Sequence, residues 1–402
     1  MAGTVNLEWL NLNLYGSIAM AAALYWLGGQ IMKRVPVFGK YCIPAPLVGG
    51  LVFALLNTGL YAAGLPHFTF DSTLQNVFMN MFFATVGFSV SLPLLLKGGK
   101  AVVVILLLGS VLTVAQNILG AGVMIAMGQD PRLGLALGSI ALIGGPGTAA
   151  AFGPELEAAG CIGGSVVGLS AATFGLVAGS VMGGPTANRL IGKFHIPGRK
   201  GESEDYDGSF FTTSGKDGVT AFIMILFATG FGDSVSAYLK NLTGITFPSY
   251  IGGMIVAAIL RNIIDNLGTN YPENEIDAIG EMCLSIFLSA AMATLKLWEL
   301  VDLALPMMAT LAAQIVLMYV FARWIVFPVM GKDYDSAVMT AGFIGFAMGA
   351  TSNAMASMDA VTKKYGPSPV AYFAVPIVGG MFIDFVNVLV VGLMIPVLGS
   401  LA

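Results

Sequence analysis

Two short stretches of this chain combine glycine with hydroxyl and amide side chains inside otherwise apolar sequence. The first is Gly144-Gly145-Pro146-Gly147-Thr148 and the second is Gly349-Ala350-Thr351-Ser352-Asn353. A helix interrupted at such a point leaves free N–H groups at one broken end and free C=O groups at the other. The N–H end attracts carboxylates, and the C=O end can ligate a cation such as sodium. Glycine lets a ligand approach the backbone with no Cβ in the way. Pro146 fixes a bend and removes a donor. Gly144, Gly145, Pro146, Gly147 and Thr148 form one candidate binding wall, and Gly349, Thr351, Ser352 and Asn353 the other. The competing reading is that the glycines only allow close helix packing, as Gly175, Gly179 and Gly183 do. Hydroxyl groups beside glycine in both stretches favour binding.

A further candidate is Asp384, within Val378-Gly-Gly-Met-Phe-Ile-Asp-Phe-Val-Asn387. The chain has 402 residues, 56% hydrophobic and only 10% charged, against roughly 25% charged in a soluble domain. Most of it is therefore dissolved in a lipid bilayer, where an acid at mid-depth costs at least about 2.5 kcal/mol. Asn387 lies three residues on, on the same helical face, and the pair offers hard oxygens suited to sodium. Asn188 holds the corresponding place in the first half. The alternative for Asp384 is a buried acid hydrogen-bonded to neighbouring helices. Gln116, Asn117 and Gln314 read as polar glue between helices, and Asp233 and Glu281 as solvated acids near helix ends. The candidate site has no obvious intramembrane Lys or Arg, so an anion would rely on amides, hydroxyls and bound sodium.

The elements that must carry these residues repeat. Gly138 aligns with Gly342, Gly145 with Gly349 and Thr148 with Ser352, and farther on Phe174 aligns with Phe373 and Asn188 with Asn387. A spanning helix needs about 20 mostly apolar residues. Five such segments lie near 12–32, 42–63, 74–95, 101–127 and 162–192, and five more near 218–240, 246–264, 277–297, 301–327 and 369–396. The first segment reads as a retained helix, since no basic residue precedes it and it is too long for a signal peptide. The stretches 133–153 and 336–358 fit re-entrant hairpins, which lipid tolerates only where protein shields the backbone.

With the N-terminus outside and neither hairpin crossing, the inside holds Lys33, Arg34, Lys40, Lys97, Lys100, Arg189, Lys193, Arg199, Lys200, Lys216, Arg261, Arg323, Lys332, Lys363 and Lys364. That is fifteen of the 18 basic residues, as the positive-inside rule requires. Five spans per half turn the second half upside down and leave the C-terminus outside as well. The expected fold is an all-α membrane protein of two inverted repeats of five transmembrane helices, each with a re-entrant hairpin. The repeats cover 1–192 and 218–402, joined by a cytoplasmic linker at 193–217. Duplicated broken segments of this kind mark the binding site of a secondary transporter.

Several motifs then occur in an order that resembles the bacterial sodium/glutamate symporter family. They are Gly144-Gly-Pro-Gly-Thr148, Leu295-Lys-Leu-Trp-Glu-Leu300, Gly331-Lys-Asp-Tyr-Asp335, Gly345-Phe-Ala-Met-Gly-Ala-Thr351, and Val375-Pro-Ile-Val-Gly379 through Ile383-Asp-Phe-Val-Asn387. The resemblance implies import of L-glutamate coupled to sodium, by a homodimer in the bacterial inner membrane. Pro146 stands where the family usually has His. Gly342-Phe-Ile-Gly345 stands for Gly-His-Cys-Gly, and Thr351-Ser-Asn353 for Thr-Pro-Thr. A dicarboxylate or other small anion is the alternative cargo, and a passive channel is a weaker one.

Other classes fit poorly. A formal net charge of −4 supplies no basic patch for nucleic acid. No Gly-Lys-Ser/Thr phosphate loop supports an ATP-driven pump. Gly230-Phe-Gly-Asp233 and Tyr334-Asp335 occur in the wrong order for an intramembrane aspartyl protease. Cys42, Cys161 and Cys283 make neither a disulfide framework nor a zinc site. The chain is read as a transporter and not as an enzyme. The matched starts Pro46 with Gly49-Gly50 and Pro248 with Gly252-Gly253 suit a scaffold, tightly paired across a dimer or domain seam.

Overall fold

The computed structural model describes residues 10–41, 43–97, 99–198, 215–243, 248–268, 271–300 and 303–400. Cys42 and most of the expected linker, 199–214, lie outside the described residues. The first half runs through α1 (Leu14–Arg34), the short α2 (Pro36–Lys40), α3 (Ala45–Ala62), α4 (Thr73–Phe88), α5 (Leu92–Lys97) and α6 (Gly99–Ala126). Three short helices follow, α7 (Leu133–Ala136), α8 (Ser139–Leu142) and α9 (Gly145–Ala158), and then the long α10 (Gly164–Lys193). The second half contains α11 (Gly215–Gly230), α12 (Gly232–Thr243), α13 (Ser249–Leu267) and α14 (Glu273–Ala293). Next, α15 (Ala304–Phe321) passes through a π-helical turn at Ala322–Val326 into α16 (Phe327–Met330). The broken pair α17 (Tyr334–Ala347) and α18 (Thr351–Tyr365) leads to α19 (Pro369–Ile377), which crosses a second π turn at Val378–Phe382 into α20 (Ile383–Gly399). Apart from helices, Asn11–Leu12 and Thr69–Phe70 form a two-residue parallel ladder.

Among the described residues, eight helices are long and apolar enough to cross a membrane. They include α3, α6, α10, α13 and α14, together with the compound helices α11–α12, α15–α16 and α19–α20. Of the expected spans, α1 and α4 fall outside this set. The chain of α4 stops after 16 residues, and side chains of α13 hold the break. Asn262 Nδ2 donates to the Val90 carbonyl at 2.8 Å, Asn262 Oδ1 accepts from Leu92 N–H at 2.8 Å, and Ser91 donates to Asp265 at 2.6 Å. α1 is diluted by Ser17, Gln30, Lys33 and Arg34.

The helices pack in two groups. In one, α3 lies on α14 and α13 on α4, while α1 contacts α3 and α14, and α11 contacts α13 and α4. In the other, α6 crosses α15, α10 lies along α9, α17 and α18, and α20 contacts α6 and α8. The largest apolar core runs chiefly through this second group. The expected scaffold glycines are occupied within the chain itself. A Cβ on Gly49 would lie 1.8 Å from the Leu24 carbonyl oxygen of α1, and one on Gly252 would lie 2.0 Å from that of Gly232. Asp233 sits exposed in the first turn of α12. Glu281 is also exposed, but it lies two turns inside α14 and not at a helix end.

Candidate substrate and ion site

Each glycine-rich stretch is the tip of a broken-helix pair whose ends are tied together at its base. Arg132, just before α7, donates from Nη1 to the Ala159 carbonyl after α9 at 2.5 Å. It is held there by Asp130, 2.5 Å from Nη2. Burial acts to raise the Asp130 carboxyl, but the hydrogen bonds and charge of Arg132 outweigh it and hold the group below the usual carboxylate range. The second pair closes similarly: the Tyr334 hydroxyl donates to the Gly366 carbonyl, and Ser368 donates to Asp335 at 2.7 Å. Asp333 and Ser336 form a capping box at the start of α17. The arms reach Ala158 and Tyr365, farther than 153 and 358. Helix continues through Pro154 in the first pair and through the charged turn Asp359–Lys364 in the second.

The two tips touch. Gly145 has φ +63, and a Cβ on it would lie 2.9 Å from the Gly349 carbonyl oxygen. Only glycine adopts this left-handed backbone without strain. α9 and α18 both begin here with no side-chain cap, so each points uncapped N–H groups toward the meeting point. α10 approaches closely enough to support the second tip, since a Cβ on Gly175 would lie 2.5 Å from the Met348 carbonyl oxygen. Gly179 and Gly183 likewise face Gly345 and Ser357. These three glycines therefore serve packing.

The π turn at Val378–Phe382 passes the second tip, and α20 passes the first. Asn387 Nδ2 donates to the Ser139 carbonyl at 3.1 Å and would lie 2.7 Å from a Cβ on Gly144. Its Oδ1 is buried with no partner. One face over, Gly380 looks onto Thr351, whose Oγ1 donates to the Gly379 carbonyl at 2.8 Å. Asp384 is one turn beyond Gly380. Thr148 is buried beside Gly144, and Asn353 donates to the Leu176 carbonyl at 2.9 Å with its own oxygen unpartnered. Gly147 faces Leu284 and Phe82 of the other helix group. Gly144, Pro146, Thr351 and Asp384 are half-buried, and Ser352 and Gly380 are exposed.

Nearly all the anticipated residues thus lie around one junction. Asn188 does not. It lies nine residues past Gly179, about 13 Å along the helix axis at 1.5 Å per residue. It is near the end of α10, where the following Phe194 packs on Phe327. Residue typing alone missed Ser139, whose N–H is accepted by Asn117 Oδ1 at 2.9 Å and whose hydroxyl is buried without a partner. Its neighbour Gly138 opens the repeated stretch, which was the available signal. Gln116, Asn117 and Gln314 act as glue through specific bonds: Gln116 to the Ala347 carbonyl, Asn117 to Ser139, and Gln314 to the Gln116 carbonyl.

A cavity of about 240 Å³ lies between the first pair and the other helix group, lined by Gln75, Ala150, Pro154, Glu157, Ser165 and Lys296 among others. Among the described residues no cluster of three or more His, Cys, Asp and Glu could hold a metal ion.

Residues 10–367 match the family model described as Sodium/glutamate symporter. The chain is similar to the sodium/glutamate symporter of Haemophilus influenzae, 36% identical over 384 residues, covering 93% of this chain and 95% of that one. It is also similar to the sodium/glutamate symporter of Escherichia coli, 35% identical over 397 residues, covering 96% and 99%.

Proposed function

The chain belongs to the sodium/glutamate symporter family, and we propose that it imports L-glutamate with sodium by alternating access where its two tips meet. The observation that carries this is the Gly145–Gly349 contact, flanked by two uncapped helix starts and by Asn387 and Asp384. The helix starts take the substrate carboxylates, aided by the hydroxyls of Thr148, Thr351 and Ser352. Asp384 and the unpartnered Asn387 Oδ1 take sodium. Asn188, remote from the tips, has no part in this set.

The broken-helix pairs are re-entrant hairpins in this reading, and their clasped bases support a return to the side of entry. Reciprocal packing supports the inverted repeat: α3 on α14 mirrors α13 on α4, α1 on α14 mirrors α11 on α4, and α6 meets its counterpart α15. The first base lies with Arg132 and the second with Lys332, Lys363 and Lys364, so the hairpins enter from outside and inside respectively. Both termini then lie outside the bacterial inner membrane. Glu281 supports a homodimer. It lines an open groove of about 610 Å³ with Tyr25, Phe78, Phe222 and Met282. A carboxylate inside a span is costly against lipid and cheaper against a second copy.

The test is uptake of radiolabelled L-glutamate into proteoliposomes with and without an inward sodium gradient. Accumulation above equilibrium only with sodium is expected. Equilibration without sodium would indicate a channel. No accumulation of glutamate, with sodium-driven accumulation of a radiolabelled dicarboxylate instead, would move the cargo to the alternative anion.

A further inference from the structure

The crossing of α6 and α15 contains four polar side chains that the tip site leaves unused. Thr113 and Gln116 lie on α6, and Thr310 and Gln314 on α15, and all four have 0% exposure. Thr113 donates to the Gly109 carbonyl at 3.0 Å and Thr310 to that of Pro306 at 2.9 Å. Gln116 Nε2 donates to the Ala347 carbonyl at 3.1 Å, and Gln314 Nε2 to the Gln116 carbonyl at 2.8 Å. These bonds fix both amides, because turning either one over would set oxygen against oxygen. What remains is a pair of bare acceptors: Gln116 Oε1 and Gln314 Oε1 are buried with no partner. The threonines stand three and four residues before their glutamines, on the same helical faces, with their hydroxyl hydrogens committed and lone pairs left.

We propose that this crossing holds a sodium ion, distinct from the one at Asp384 and Asn387, with Gln116 Oε1 and Gln314 Oε1 as ligands. Buried amide oxygens without donors are costly, and a hard cation satisfies them with oxygen ligands. The two glutamines come from equivalent helices of the two halves, so the ion sits where the halves cross. It is also tied to transport. Gln116 grips the carbonyl of Ala347, the last residue of α17 and two residues before Gly349, so an ion on Gln116 steadies the tip that meets Gly145. This rests on the tips being the cargo site.

The experiment measures sodium activation of glutamate uptake in proteoliposomes and the sodium-induced shift in thermal unfolding without glutamate. It uses the full chain and its Gln314→Leu, Gln314→Met, Gln314→Glu and Thr310→Val variants. Gln314 is chosen because it does not touch a tip. Leu and Met should raise the half-saturating sodium concentration about tenfold, lower the sodium Hill coefficient and shrink the thermal shift. Thr310→Val should do so more weakly. Glu sets a carboxylate oxygen against the Gln116 carbonyl, a contact that a cation relieves, so sodium should shift its unfolding more than that of the unaltered protein. Unchanged sodium curves in folded Met and Val variants would overturn the proposal and assign the two oxygens to a buried water. If the unaltered protein itself showed no sodium-dependent uptake while sodium still shifted its unfolding through Gln314, the transport reading would fail and the ion site would stand.

Discussion

Gly145→Ala puts the tip contact to a direct test. At φ +63 an alanine costs about 1–2 kcal/mol in backbone strain. Its Cβ would also lie 2.9 Å from the Gly349 carbonyl oxygen, which is backbone and cannot rotate away. One tip must withdraw. If the closed arrangement of tips binds substrate, a penalty of about 1–2 kcal/mol falls on that state and weakens glutamate roughly 5- to 30-fold, at tenfold per 1.4 kcal/mol. The assay is the KM for glutamate in proteoliposomes at saturating sodium, with the thermal midpoint as a fold check. Gly122→Ala is the control. It lies in α6 with nothing within 4 Å of the added Cβ, and alanine is favoured in a helix interior by about 1 kcal/mol. A folded Gly145→Ala protein with an unaltered KM would refute the idea that the touching tips form the site.

Asp384→Asn should abolish sodium stimulation of uptake while leaving the protein folded, and normal sodium dependence in that variant would remove Asp384 from the coupling site. Because the Asp130 carboxyl is held below its ordinary value of 3.8, its stabilising contribution is fully present above that value and is lost as pH falls below it. Thermal midpoints should therefore drop more steeply below about pH 4 in the unaltered protein than in Asp130→Asn, and parallel curves would count against the clasp. Burial pushes the Cys161 thiol up to about 12, so maleimide at pH 8 should label a cysteine introduced at the 78% exposed Ile162 far faster than Cys161.

Much of this arrangement was legible in the residues because lipid imposes strong rules. Eight of the ten expected apolar segments return as helices long enough to span, and the two glycine-rich interruptions and the alignment of Gly145 with Gly349 could be read directly from residue type. The ends of the broken pairs were not legible. Pro154 and the charged turn at Asp359–Lys364 look like loop, yet helix runs through them because each arm packs along α10. Equivalence between halves also misled in one place. Asn188 aligns with Asn387, but α20 is reached through the π turn Val378–Phe382, whereas α10 is continuous helix. The two asparagines therefore meet different surroundings. Gly138 marks the stretch that holds Ser139, but the bonds of Ser139 to Asn117 and Asn387, like that of Arg132 to the Ala159 carbonyl, join residues far apart in sequence and carry no local sign.

The chemistry of the two proposed ion positions is explained by charge balance across the cycle. Of the residues placed at the tips, Asp384 alone is ionisable, and no lysine or arginine is among them. Glutamate brings one net negative charge, so with an ionised Asp384 the loaded site would carry two negative charges. Moving these through hydrocarbon is prohibitive without counter-ions. Two sodium ions, one at each proposed position, would make the loaded unit neutral. The empty unit would then return with the Asp384 charge alone, and each cycle would carry one net positive charge inward. A membrane potential adds about 2.3 kcal/mol of drive per 100 mV to that step. The same balance explains neutral glutamines at the α6–α15 crossing. A carboxylate there would hold sodium more tightly, but the empty unit would have to return with two negative charges. Sodium would be slow to leave and the empty carrier slow to turn over. Neutral oxygens bind the second ion only when it is needed and leave a single charge to carry back.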